Sequence, residues 1–133
     1  MRKFISLAVV ALLASSMSAQ TIANMKDLNA EKKSAAINLK LTGTLTTTKN
    51  SDFRQLRDLC WQLRNLDLSE ATCPVLPKNA FHSRHHLQHI ILPNQLQEIG
   101  TQAFFACDNL QEVVIPKSVT KVGAAAFSGC KSL

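Results

Sequence analysis

LQHIILPNQLQEIGTQAFFACDN, residues 87–109, is followed without a gap by LQEVVIPKSVTKVGAAAFSGCKS, residues 110–132, and Leu133 begins the pattern again. Each stretch is 23 residues long (110 − 87 = 23), and the Leu, Gln, Pro, Gly, Ala, Phe and Cys of one recur in the other. Five more positions exchange one aliphatic side chain for another: Ile90/Val113, Ile91/Val114, Leu92/Ile115, Leu96/Val119 and Ile99/Val122. Such ungapped self-similarity predicts a stack of equivalent coils, because one unit of this length cannot bury its apolar side chains alone.

Working outward, residues 63–86, LRNLDLSEATCPVLPKNAFHSRHH, form an earlier copy that is one residue longer. It keeps Leu63, Leu66, Leu68, Ala80 and Phe81 in register, but Arg84 stands where the later copies have Cys107 and Cys130. Lys78-Asn79 replaces the residues that follow Gly100 and Gly123. Ile37, Leu39 and Leu41 alternate like a strand, with Leu39 and Leu41 aligning with Leu66 and Leu68. A period of roughly 20–29 residues with an L-x-x-L-x-L opening is the leucine-rich-repeat signature. The expected fold class is therefore α/β: a solenoid of short parallel strands and helical turns, with an N-terminal helical cap and no C-terminal cap.

Physical roles follow from position in the coil. Leu87, Ile90 and Leu92 start a strand and point inward, and Pro93 ends it because proline cannot donate to a ladder. Leu96 and Ile99 make a second short apolar stretch. Gly100 is expected to close it with a positive φ where the chain bends. Ala103 and Phe104 are the inward residues of a helical turn, with Cys107 three residues on. Phe105 aligns with His82 and Ser128, so its position should tolerate polarity.

Upstream, residues 51–63 read as an amphipathic helix. Phe53, Leu56, Leu59, Cys60 and Leu63 share one stripe, with Arg54, Arg57 and Asp58 outside. Asn50 or Ser51 would cap its first turn, and Asp52 suits the dipole. Residues 24–35 suggest another short helix, residues 42–50 a polar connection, and residues 20–23 a loose segment. The expected organisation is a signal peptide at 1–19, a cap region at 20–62, and repeats at 63–86, 87–109 and 110–132, with a further start at 133.

Arg2 and Lys3 precede an apolar stretch from Phe4 to Ala14, and small residues from Ser15 to Ala19 offer a cleavage point after Ala19. That apolar stretch falls short of the about 20 residues a membrane-spanning helix needs. The alternative, a retained membrane anchor, is therefore disfavoured, and no span is expected after cleavage. With no cysteine before Cys60, acylation near the cut has no target. The formal charge of +6 becomes +4 once Arg2 and Lys3 are removed. The remaining Lys and Arg form no basic face with interleaved aromatics, so no nucleic-acid footprint is evident.

Residues 90–110 and 113–133 resemble the BspA-like family of bacterial leucine-rich repeats. Residues 41–71, with LTGTL, Asp52-Phe53 and LDLSEA, resemble the N-terminal cap of such proteins. The likeness extends over about residues 24–133. It implies a curved solenoid, a place at the surface of a Gram-negative bacterium or secreted beyond it, and in some members adhesion to host proteins or other cells. It implies no catalytic residues. The short array, ending at Leu133 in mid-motif, leaves an end through which the chain could self-associate.

Four histidines, His82, His85, His86 and His89, have a spacing that on one helix would suit a transition metal. The repeat register instead spreads them over a turn and a strand, so no metal site is expected. No cofactor is expected either. Cys107 and Cys130 are equivalent inward positions on coils about 4.8 Å apart. Parallel Cβ vectors at that spacing do not suit a disulfide, which wants Cβ atoms about 3.8 Å apart, so free stacked thiols are expected. Cys60 and Cys73 remain open, a bridge between them being the lesser alternative. Phosphate-loop, nucleophile-elbow and H-E-x-x-H motifs are missing, and Asp67 with Glu70 is a weak case for a glycosidase pair. An enzyme is therefore not expected.

The candidate site is the outward face of the strands. Asn38, Asn65, His89 and Glu112 should form one column, and Lys40, Asp67, Ile91 and Val114 a second. The first function to consider is surface adhesion or recognition of a protein or cell-surface partner through this face. The alternative is a structural or assembly segment of a larger exported protein.

Overall fold

Inward leucines at every second position extend the chain, and the turns after them bring each coil back over the last. The computed structural model describes residues 21–47 and 51–133, so the proposed signal segment lies outside the described residues. The strands in chain order are β1 (Thr21–Ala23), β2 (Asn38–Thr44), β3 (Asn65–Thr72), β4 (Val75–Leu76), β5 (His89–Ile91), β6 (Glu98–Ile99), β7 (Glu112–Val114) and β8 (Lys121–Val122). They form two parallel sheets, one ordered β1-β2-β3-β5-β7 and the other β4-β6-β8. This is a leucine-rich-repeat solenoid, its core running along the axis through Leu39, Leu66, Ile90 and Val113.

The third side of each coil is a chain of turns, and it too is laddered. Phe81 N donates to Ala103 O at 2.7 Å, and Phe104 N donates to Ala126 O at 2.8 Å. Within a turn the bonds have helical i→i+3 spacing, as from Phe105 N to Gln102 O and from Cys107 N to Phe104 O. Left-handed residues interrupt them at Asn79, Gln102 and Ala125, and again at Ser83, Ala106 and Gly129. Both sets recur every 23 residues (102 − 79 = 23, 106 − 83 = 23).

Gly100 and Gly123 are not among the positive-φ residues, which corrects the expected reason for them. Their role is close approach. A Cβ on Gly100 would lie 2.5 Å from Leu76 O, and one on Gly123 would lie 2.4 Å from Thr101 N. Gly100 N reaches Leu76 O at 2.8 Å only because no side chain intervenes. Pro77 occupies the same place in the copy at 63–86, where β4 is the edge of its sheet among the described residues.

The N-terminal region joins the same sheet. Residues 20–23, expected to be loose, include β1, which pairs in parallel with β2 through Thr21↔Leu39 and Ala23↔Leu41. The expected helix at 24–35 divides into a 3-10 turn, Met25–Asp27, and α1, Ala30–Ala35. Asn24 and Asn29 cap the two pieces, accepting from Lys26 N and Lys32 N. Ile37 lies outside β2 and is exposed, its carbonyl accepting from Arg64 N and Asn65 N.

Helix α2 covers Asp52–Leu59 and is shorter than the expected 51–63. Ser51 is the N-cap, accepting from Arg54 N at 3.1 Å. Phe53, Leu56, Cys60 and Leu63 are buried as expected, whereas Leu59 is 42% exposed. Its departure follows from the helix ending there: Cys60 and Leu63 are buried from the non-helical stretch beyond it. Phe53 meets Phe81 edge-on at 5.9 Å, and Phe81, Phe104 and Phe127 continue as stacked rings 5.4 and 5.2 Å apart.

Candidate functional site

The strand register sets the surface. Asn38 pairs with Asn65, Asn65 with His89, and His89 with Glu112, while Lys40, Asp67, Ile91 and Val114 pair in the same succession. The two sequence-derived columns are therefore contiguous rows across β2, β3, β5 and β7. Their residues are half-buried, apart from Asp67, which is buried. Alternation puts them outward because the intervening Leu39, Leu66, Ile90 and Val113 point into the core.

The β2–β3 end is a closed polar network. Asn65 Nδ2 donates to Asn38 Oδ1 at 2.6 Å. Lys40 Nζ lies 3.0 Å from Glu70 Oε1 and 3.8 Å from Asp67 Oδ2. The bond to Glu70, helped by the charge of Asp67, raises the Lys40 ammonium above its usual range despite the opposing effect of burial. Asp67 Oδ1 also accepts from Ser69 N at 2.8 Å. Both carboxylates once considered for glycoside chemistry are thus engaged with a lysine.

Glu70 was not assigned to this face from sequence. The signal was the extra residue of the 63–86 copy: the β2–β3 register shifts between Lys40 and Thr42, and Thr42 then pairs with Glu70. Toward β7 the second column becomes aliphatic at Ile91 and Val114. The first ends in His89 and Glu112.

The four histidines have separate surroundings. His82 stacks on Phe105 at 5.1 Å and shares a hydrogen bond with Ser83 Oγ. His85 Nδ1 lies 3.2 Å from Asp108 Oδ2, His86 meets Trp61 edge-on, and His89 is on β5.

All four cysteines are free thiols. Cys107 Sγ donates to Phe81 O and Cys130 Sγ to Phe104 O, each at 3.0 Å, and Cys73 Sγ donates to Val75 O at 2.9 Å. Burial pushes the Cys107 thiol up to about 12 and the Cys60 thiol up to about 11, and raises Cys73 and Cys130 as well. These groups are protonated at neutral pH, and the three that donate serve as hydrogen-bond donors between or within coils rather than as nucleophiles. Arg84 takes the cysteine position where the layer beneath is α2 instead of a coil. Its guanidinium donates to Arg57 O near the C-terminus of that helix, where a cation is favoured.

A model of the BspA type leucine rich repeat region matches residues 20–133 in 6 copies. No curated protein matches the chain. Among solved structures, a leucine-rich repeat protein from Bacteroides ovatus aligns with a TM-score of 0.44 and 20% identity. The alignment covers 86% of this chain, which spans 35% of the length of that protein.

Proposed function

Because this chain belongs to the BspA type leucine-rich repeat family, we propose that it is an exported surface module that binds a protein partner through the outward face of β2, β3, β5 and β7. The observation that carries this reading is the pair of columns, which present different chemistry on strands held in register. Different side chains on a rigid repeated frame are how solenoids distinguish partners. The family and fold are of a kind that is typically non-enzymatic. Export rests on the sequence of residues 1–19. Among the described residues no helix is long and apolar enough to cross a membrane.

The test is retention of cell-surface proteins on the immobilised chain. Ile91→Arg, on the sheet face, should abolish retention, and Thr101→Arg, at an exposed position on the turn side, should leave it intact. Equal retention by both variants would overturn the sheet-face assignment.

A further inference from the structure

Three polar atoms on the sheet face are shielded from solvent and have no hydrogen-bond partner among the described residues: Asn65 Oδ1, His89 Nδ1 and Glu112 Oε2. They belong to successive members of one column, on β3, β5 and β7. Asn65 and Glu112 are thus two strand spacings apart, about 9.6 Å. A shielded acceptor without a donor is unfavourable, and most so when it carries charge. Asn38 Oδ1, at the other end of the column, already receives Asn65 Nδ2.

Charge points the same way. The charged residues of β2, β3, β5 and β7, with histidine neutral, are Lys40, Asp67, Glu70 and Glu112, a balance of −2 (1 − 3) on a chain whose formal charge is +6. Lys40 is held by Asp67 and Glu70, which leaves Glu112 as the acid of these strands with no ion pair among the described residues. Beside it lie Ile91 and Val114. Val114 is two residues from Glu112 along β7, about 6.6 Å.

We propose that this patch receives a lysine- or arginine-bearing segment of the protein partner. Docking turns these half-buried side chains so that the shielded atoms face the segment: the cation meets Glu112 Oε2 while its methylene stem lies along Val114 and Ile91, as long basic side chains cover apolar surface. A second donor on the segment meets Asn65 Oδ1, and His89 Nδ1, between them, gives or accepts a hydrogen bond. This assignment rests on the sheet face being the binding surface and names the class of partner it takes.

The test uses the whole chain and two fluorescein-labelled peptides, one alternating lysine with valine and the other glutamate with valine. Anisotropy is read at about 0.1 M salt, where the screening length is about 10 Å. The lysine peptide should bind and the glutamate peptide should not. Glu112→Gln should weaken binding about tenfold, whereas Glu98→Gln, which removes the same charge from β6 on the other sheet, should leave it unchanged. Glu112→Lys should reverse the preference toward the glutamate peptide, a gain that a folding defect cannot imitate. Equal weakening by Glu98→Gln and Glu112→Gln would overturn the site in favour of diffuse attraction. Failure of the lysine peptide to bind, with Ile91→Arg still abolishing retention of surface proteins, would overturn the cationic class and leave the surface reading standing.

Discussion

Gly100 and Ala106 occupy opposite kinds of position, although both lie in the turn side of one coil. Gly100 has an ordinary φ and no room for a Cβ, so Gly100→Ala must push Leu76 O away and break one of the bonds between this coil and the one before it. Its urea midpoint should fall by the equivalent of about 3 kcal/mol, the upper range for overpacking. Ala106 is strained instead, at φ 57°, and its counterpart Gly129 shows the relaxed solution at φ 79°. Ala106→Gly should raise stability by about 0.5–1 kcal/mol in the same assay. The glycines themselves were plain in the sequence, but the reason for them was not. A repeated glycine marks either a positive φ or a close approach, and only the neighbouring coil decides between them. The thiols give a second test. Cys107 has its pKa raised on folding to about 12, so its contribution is fully present below the unfolded value near 9 and is lost as pH rises toward 12. Stability should fall across that window by up to about 1.4 kcal/mol per pH unit for this one group. In Cys107→Ala the fall should be shallower by that amount, and identical slopes for the two proteins would contradict the assignment.

Among elements, α2 and the phenylalanine column show how the helix and the coils share one core. Phe53 begins the column that Phe81, Phe104 and Phe127 continue, so the helix supplies its first ring. Phe104→Ala should cost about 3–5 kcal/mol, the range for a fully buried phenylalanine. Phe105→Ala, which loses one stacked contact with half-buried His82, should cost about 1 kcal/mol. Comparable losses in denaturant melts would mean that the two rings are exchanged in register. Which phenylalanine points inward was readable from the alignment with Ser128 and His82. The helix boundary was not: Leu59, Cys60 and Leu63 fit a helical stripe, yet the helix stops at Leu59 and the last two reach the core by a bend. Arg84 carries the junction, since its guanidinium replaces the thiol-to-carbonyl bond of the later coils with a bond to Arg57 O. Arg84→Met should therefore loosen α2 at a cost of about 1.5–3 kcal/mol, the value of a charge-assisted hydrogen bond. The loosening should be visible as faster amide exchange in 52–59 than in 87–109.

For the whole molecule, stability is shared between each coil and its neighbours, so position along the axis matters as much as side-chain identity. The two columns of the candidate face were legible because period-two alternation and a constant repeat length place outward residues in rows. The partner proposed for them was not, because that proposal depends on which polar atoms stay unpaired after folding. The same additive logic sets the end of the stack. In the described chain the coil from Leu110 to Ser132 has a neighbour on one side, and its Val122 is 51% exposed while the equivalent Ile99 is fully buried. Phe127 is only partly buried, although Phe104 beneath it is enclosed. Strands β7 and β8 also leave one row of backbone groups unpaired, and such edges recruit other strands. A polypeptide limited to these 133 residues should therefore exchange the amides of 110–132 faster than those of 63–86, or self-associate through this end in a concentration-dependent way. Adding one designed coil with a polar outer face should slow exchange at 113–115 and abolish self-association, since terminal coils normally provide that cover. Hydrogen exchange with light scattering on the two proteins separates these outcomes. Equal protection of 110–132 and 63–86 in a strictly monomeric sample of the unextended chain would show that the last coil draws enough stability from one neighbour alone.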